Sequence, residues 1–250
     1  MRNAFCAGAL AALSLQIFGP TTAALAGPSD YVITPLVQEG EREIDFKAGT
    51  AKNRDGTRES AYSLGLGYGV TNWWFTELYG KWHKLPGQDS GFDAWEWENK
   101  FQLTETGKYP VDMGFVLEIE RPKDRSEGYE LVWGPLFQTD ITSEVQANLN
   151  VLVTKHIRAA TASKAELGYQ WQVKHRWQPN FEYGLQGFGE VGPLSHWRPT
   201  DEQSHTLGPA IFGRIRAGQH EFIKYNVALL FGTTNGAPRT TLRLQTEYEF

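Results

Sequence analysis

The chain has one cysteine, Cys6, and two methionines among 250 residues. A single thiol excludes an intrachain disulfide, so no covalent staple holds the fold. Basic residues are not in excess either. Lys and Arg number 24 against 29 Asp and Glu, for a formal charge of −5. No basic stripe is present, and no nucleic-acid partner is expected. Long apolar runs are also missing, apart from one at the start. Ala4 to Phe18 carries no charge, but it falls short of the roughly 20 residues a helical membrane span requires. No later run reaches 18 apolar residues, so the remainder contains no membrane helix. A mean hydropathy of −0.44 looks like that of a soluble protein. That average is uninformative for a barrel, where only alternate residues of a strand face lipid.

The opening run reads as an export leader. Arg2 supplies the positive start, and Ala24-Leu25-Ala26 the small-x-small cleavage pattern, which predicts a signal peptide of residues 1–26. Cys6 lies too early for a lipoprotein anchor. Its removal leaves a mature chain without cysteine, one whose stability must come from another source, such as closed backbone pairing in lipid.

Beyond the leader the chain alternates with period two. Tyr62, Leu64, Leu66, Tyr68 and Val70 share one face, with Ser63, Gly65, Gly67 and Gly69 on the other. In the last segment Thr240, Leu242, Leu244, Thr246, Tyr248 and Phe250 alternate with Thr241, Arg243, Gln245, Glu247 and Glu249. A helix would scatter these residues around its axis. Ten further segments follow the same rule, with apolar faces that begin at Ile44, Trp74, Trp95, Val111, Tyr129, Val145, Ala165, Phe181, Leu207 and Ile223. In the segment from Tyr129, Gly134-Pro135 is expected to distort the strand. The pattern predicts an all-β fold, a transmembrane antiparallel up-and-down β-barrel of about twelve strands over residues 41–250. Strands of about ten residues fit an apolar band about 25 Å tall.

Connection lengths support an even strand count. Leu85 to Phe92, Arg121 to Gly128 and Val191 to Ser204 are long and polar. Thr71-Asn72, Glu105 to Pro110, Thr139 to Ser143 and Arg216 to His220 should be short. Long loops then face outward and short turns the periplasm. Residues 27–40 read as a periplasmic tail ahead of the first strand rather than a plug. Apolar-face aromatics such as Tyr62, Tyr68, Trp74, Trp82, Trp95 and Tyr248 sit near strand ends, where interfacial girdles belong.

The opposite faces supply the candidate lumen. They carry Asp45, Glu77, Glu96, Glu98, Asp112, Glu118, Glu120, Glu130, Glu166, Glu182, Glu247 and Glu249. Against these stand Lys47, Lys81, Lys100, Lys174, Lys224, Arg214 and Arg243. Unpaired carboxylates in a narrow water-filled lumen favour cations. Cross-strand pairing of the same charges would instead close it. The densest stretch, Glu96, Glu98, Glu118, Glu120 and Glu130, has Lys100 as the only base expected on its wall. Small solutes passing through this lumen, surrounding outer-membrane lipid and no cofactor are the expected partners.

Two other function classes are weighed. An outer-membrane acyl hydrolase would need a nucleophile beside a base. Ser195-His196 and Ser204-His205 are neighbours in sequence, which point to opposite faces within a strand. A metal site from His83, His196, His205, Asp201 and Glu202 has no ligand spacing to recommend it. A closed structural barrel is the other alternative, although the outer loops are short for a large binding surface.

The terminal Tyr248-Glu249-Phe250 resembles the C-terminal signature of bacterial outer-membrane proteins, whose last aromatic is read by the barrel-assembly machinery. The stretch Leu64-Gly65-Leu66-Gly67-Tyr68-Gly69-Val70-Thr71-Asn72-Trp73-Trp74-Phe75 also resembles a hairpin of the outer-membrane transporters named for the meta-pathway of phenol degradation. Gly134-Pro135-Leu136-Phe137 fits the same family. This resemblance implies a transport role and no defined catalytic or binding residues.

Overall fold

A computed structural model describes residues 27–219 and 221–250. The expected leader, with Cys6, lies outside the described residues, as does His220. Twelve strands follow in order: β1 (Arg42–Lys52), β2 (Arg58–Gly69), β3 (Trp74–Lys84), β4 (Gly91–Gln102), β5 (Asp112–Pro122), β6 (Tyr129–Asp140), β7 (Val145–Ile157), β8 (Glu166–Gln178), β9 (Phe181–Pro193), β10 (Ser204–Arg216), β11 (Phe222–Gly232) and β12 (Thr240–Glu249). Each pairs antiparallel with its sequence neighbours, and β1 closes on β12 from Glu43↔Glu249 to Lys52↔Thr240. All twelve alternating segments are strands. Closure leaves no sheet edge, which is what a wall surrounded by hydrocarbon requires.

The two faces separate as the alternation dictates. On β2, Leu64, Leu66 and Tyr68 are exposed on the outside, while Ser63 and the intervening glycines face inward. Outward aromatics gather near both rims. Tyr62 stacks on Trp82 at 5.2 Å beside Phe92 and Trp95, and Tyr248 stacks on Phe250 at 5.6 Å. Asn99, on the outward face, is polar and buried. Its Oδ1 accepts hydrogen bonds from the Trp74 indole and the Thr76 hydroxyl, both at 3.1 Å, so it stays buried and satisfied.

The connections at 53–57, 85–90, 123–128, 158–165, 194–203 and 233–239 form one end of the barrel. Those at 70–73, 103–111, 141–144, 179–180 and 217–221 form the other. The second end is the short-turn end with one exception. The 103–111 connection, expected to be short, is as long as most of those opposite, and it folds back on itself as Asp112 accepts from the Gly107 amide at 2.8 Å.

Gly134-Pro135 interrupts β6 as expected, by a gap in its ladder and not by a shift of register. Pairing with β7 is absent at those two residues, because proline has no N–H to donate, and resumes in the same register from Trp133↔Val153 to Leu136↔Asn150. Gly208-Pro209 repeats this between β10 and β11, with Leu207↔Phe231 and Ala210↔Ala228 on either side.

A further correction concerns residues 27–40. This segment is not a free tail: residues 27–38 run inside the barrel. Side chains of an extended chain alternate in direction. Val32 packs against Phe188, Phe212 and Leu230, while Ile33 packs against Val116, Leu136 and Leu152. Burying such a side chain contributes about 1.5–3 kcal/mol. Polar contacts fix the rest. Asn150 donates to the Ile33 carbonyl at 3.0 Å, the Val37 amide donates to Gln102 at 2.7 Å, and Arg243 donates to the Gly27 carbonyl at 3.2 Å. Inward glycines make room for it. A Cβ at Gly49 would lie 1.7 Å from the Pro28 carbonyl oxygen, and one at Gly69 would lie 1.9 Å from that of Gln38.

Candidate functional site

Strand pairing sets inward carboxylates side by side around the wall. One row reads Glu249 (β12), Glu43 (β1), Gly67 (β2), Glu77 (β3), Glu98 (β4) and Glu118 (β5), each directly opposite the next. The next row reads Glu247, Asp45, Gly65, Tyr79, Glu96, Glu120 and Glu130. Like charges directly opposite on a sheet are destabilising. Directly opposed partners in these rows therefore do not neutralise one another, and the cations that reach them come from other positions. The first row also climbs. Glu43 lies next to the short-turn end of β1, whereas Glu118 lies in the middle of β5.

The N-terminal segment divides the lumen. A cavity of about 280 Å³ opens toward the long-loop end, and Lys47, Lys81, Glu96, Glu98, Glu118, Glu120, Glu130 and Glu166 line it. A second of about 370 Å³ lies at the short-turn end, lined by Asp45, Glu77, Glu98, Lys100, Arg214 and Lys224. A third, of about 340 Å³, adjoins it beside Lys174, Glu182, Arg214 and Lys224. Arg243 faces inward where the segment begins, its guanidinium 3.6 Å from the Phe188 ring. Glu98, Tyr31 and Ile33 line both of the first two cavities. They form the pinch.

Cations enter the acidic wall differently from the sequence expectation. Lys100 was expected as the only base there, yet its ammonium lies 4.8 Å from the Phe75 ring. The partner is Lys81, one strand over on β3, which bonds Glu96 at 2.8 Å and also Glu120. Beyond the wall, His156 on β7 lies 3.0 Å from Glu130. Lys47 lies 3.3 Å from Asp45, with the Tyr31 and Tyr79 rings 3.6 and 3.7 Å away. Glu166 pairs with Arg198 from the 194–203 connection at 2.8 Å. At the short-turn mouth Lys224 contacts Glu41, Glu247 and Glu249, and Arg214 contacts Glu249 at 3.3 Å.

Sequence reasoning missed the apolar part of the lumen. Phe75, Val116, Leu136, Leu152, Phe188, Phe212 and Leu230 all point inward and are buried. Their phase was the available signal. Val116, for example, falls in step with Gly114 and Glu118, on the polar face of its strand.

The hydrolase constellations do not form. Ser204 is buried inward, whereas His205 bonds Tyr169 at 2.8 Å and Gln203 at 2.7 Å. Ser195 and His196 are exposed in their loop. Nor do the five proposed metal ligands converge, since His83 faces Glu59 and Asp93 instead, each at 3.9 Å. Among the described residues, the carboxylates that do converge are Glu41, Glu43 and Glu249.

No family model and no curated protein matches the chain. Solved structures do. The KdgM porin in complex with disordered oligogalacturonate is similar at a TM-score of 0.56 and 9% identity, over 83% of this chain and 99% of that one. The NanC porin gives 0.55 and 9%, over 83% and 98%. The COG4313 outer membrane channel from Pseudomonas putida F1 gives 0.57 and 10%, over 86% and 98%. At these identities the likeness is one of fold: this chain has the architecture of bacterial outer-membrane porins and channels.

Proposed function

We propose that this barrel is an outer-membrane channel that passes small solutes, with a preference for cations, along the β1–β5 side of its lumen. Fold similarity to porins and channels supports the general role. The charge preference rests on one observation, the directly opposed carboxylates Glu77, Glu98 and Glu118. Their row leads from the short-turn cavity through the pinch into the long-loop cavity, and no Lys or Arg occupies a position within it. A cation on that course meets a carboxylate at each step, and an anion meets repulsion. Charge attraction of this kind acts over about 8 Å at physiological salt, so selectivity should weaken as salt rises.

The test is the zero-current potential of the purified barrel in a planar bilayer under a KCl gradient. Its sign should report cation preference, and Glu77→Gln, Glu98→Gln and Glu118→Gln together should shift it toward anions. An unshifted potential rejects the role of the row. A barrel that never conducts rejects the channel.

A further inference from the structure

The long-loop end carries basic side chains on the outside of the barrel as well as acids within it. Outward and lumen positions alternate along each strand. Lys52 continues the outward face of Ile44 and Phe46 on β1, Arg58 that of Tyr62 and Leu64 on β2, and Lys84 that of Leu78 on β3. Register brings the three together. Lys52 lies directly opposite Arg58, and Lys84 lies opposite Ser60, the next outward residue of β2. The short-turn end differs, since Arg42 is the one outward Lys or Arg of its described strand residues.

These cations have no internal counter-charge. None of the three pairs with a carboxylate among the described residues. On the lumen face, by contrast, Lys47, Lys81, Lys174 and Lys224 each have an acidic partner. Glu59 and Asp93, on β2 and β4, face His83 instead, each at 3.9 Å. Like charges directly opposite on a sheet are destabilising, so the Lys52–Arg58 pair calls for an anion from outside the chain.

Depth in the membrane identifies its source. Tyr62 and Trp82 lie directly opposite and stack at 5.2 Å, at the level where girdle aromatics meet the headgroups. Lys84 comes two residues after Trp82, and Arg58 four before Tyr62. At about 3.3 Å per residue, they sit about 7–13 Å further along the tilted strands, past the hydrocarbon edge and level with lipid headgroups. The wall that carries them is continuous with the lipid-facing aromatics, which favours a lipid over an acidic protein as the occupant.

We propose that Lys52, Arg58 and Lys84 bind the phosphate groups of an anionic lipid in the leaflet at the long-loop end. Arg58 offers phosphate a two-pronged hydrogen bond, and the lysines supply point charges beside it. A phosphate between Lys52 and Arg58 replaces their mutual repulsion with attraction to both. Lys155 on β7, exposed and outward opposite Leu131, extends the same polarity around the rim.

The experiment is titration of the detergent-solubilised barrel with micellar lipid A, a phosphate-bearing glycolipid, and with the same lipid stripped of its phosphates. Each Lys or Arg near a charged lipid surface contributes roughly a fivefold gain, so wild type should prefer the phosphorylated lipid at least tenfold. Lys52→Gln, Arg58→Gln and Lys84→Gln together should abolish that preference, whereas Arg42→Gln should keep it. Equal binding of the two lipids by wild type overturns the proposal, as does a triple variant that keeps the preference. If the triple variant fails to assemble, Arg58→Gln alone decides. A preference reduced at least threefold supports the cluster, and a smaller change overturns it. No current is measured, so either result leaves the channel reading standing.

Discussion

The Tyr31 hydroxyl donates a 2.8 Å hydrogen bond to Oε2 of Glu98 where the long-loop and short-turn cavities meet. A residue of the N-terminal segment thus holds a member of the carboxylate row. A hydrogen bond to a charged group contributes about 1.5–3 kcal/mol, so Tyr31→Phe should loosen the segment without removing it. Ile33→Asp should do more, because it sets a charge among Val116, Leu136 and Leu152. Single-channel recording should show more frequent openings for Tyr31→Phe and a larger conductance for Ile33→Asp. Identical traces for Ile33→Asp and wild type would mean that the segment does not limit the passage.

The two faces of β11 offer a second test. Leu229 is 42% exposed on the outside, whereas Asn226 lines an interior cavity. Leu229→Arg should cost about 2–4 kcal/mol if the site lies near the bilayer midplane. Asn226→Arg should cost much less. Reversible unfolding from lipid vesicles measures both, and equal losses would contradict the register of this strand.

Orientation in the membrane is tested by labelling. With long loops outward, Ser195 lies outside the cell, and Asn72 lies in the periplasm with Phe250. Cysteines placed at the two positions should differ in intact cells exposed to an impermeant maleimide. Labelling at Ser195 alone is expected, and labelling at Asn72 alone reverses the topology.

Acidity should act through Glu41, which lies just before β1. Burial and the neighbouring Glu249 push its carboxyl up to about 7 from 4.5, while Lys224 and Lys100 pull the other way. The folded chain then holds a proton between those values that the unfolded chain has released. Stability from this group falls as pH rises from 4.5 through 7. Thermal midpoints at pH 4.5 and pH 8 should differ less in Glu41→Gln than in wild type. An unchanged difference would show that Glu41 is not the titrating group.

Strand count and the two faces were legible because a period of two repeats twelve times, and a single slip would turn Leu64, Leu66 and Tyr68 inward. Of the nineteen charged residues singled out from the alternation, all but Asp112 line interior cavities for the same reason. Partners were less legible, because they depend on register between strands. Lys81 reaches Glu120 two strands away, a relation that local spacing does not encode. The N-terminal segment was misread for a related reason. Nothing in the local pattern shows what covers Val32 and Ile33 until apolar positions on the lumen face supply two walls for them. Phe188 and Phe212 belong to one wall, and Val116 and Leu136 to the other. Listing only the charges of that face hid these residues.

The Gly-Pro pairs of β6 and β10 have a mechanical consequence. Each leaves a neighbouring carbonyl, Val151 on β7 and Leu229 on β11, opposite a proline that has no hydrogen to offer it. The cylinder is therefore stitched less tightly along two longitudinal lines, four strands apart. Under lateral squeeze from the bilayer, a tube with two such creases flattens by bending at them, while the glutamate-bearing β1–β5 arc lies outside both. The stretch between the creases carries Phe188, Leu152 and much of the greasy lining that grips the inner segment. Flexing there would change the fit of that segment while leaving the spacing of the acidic arc intact.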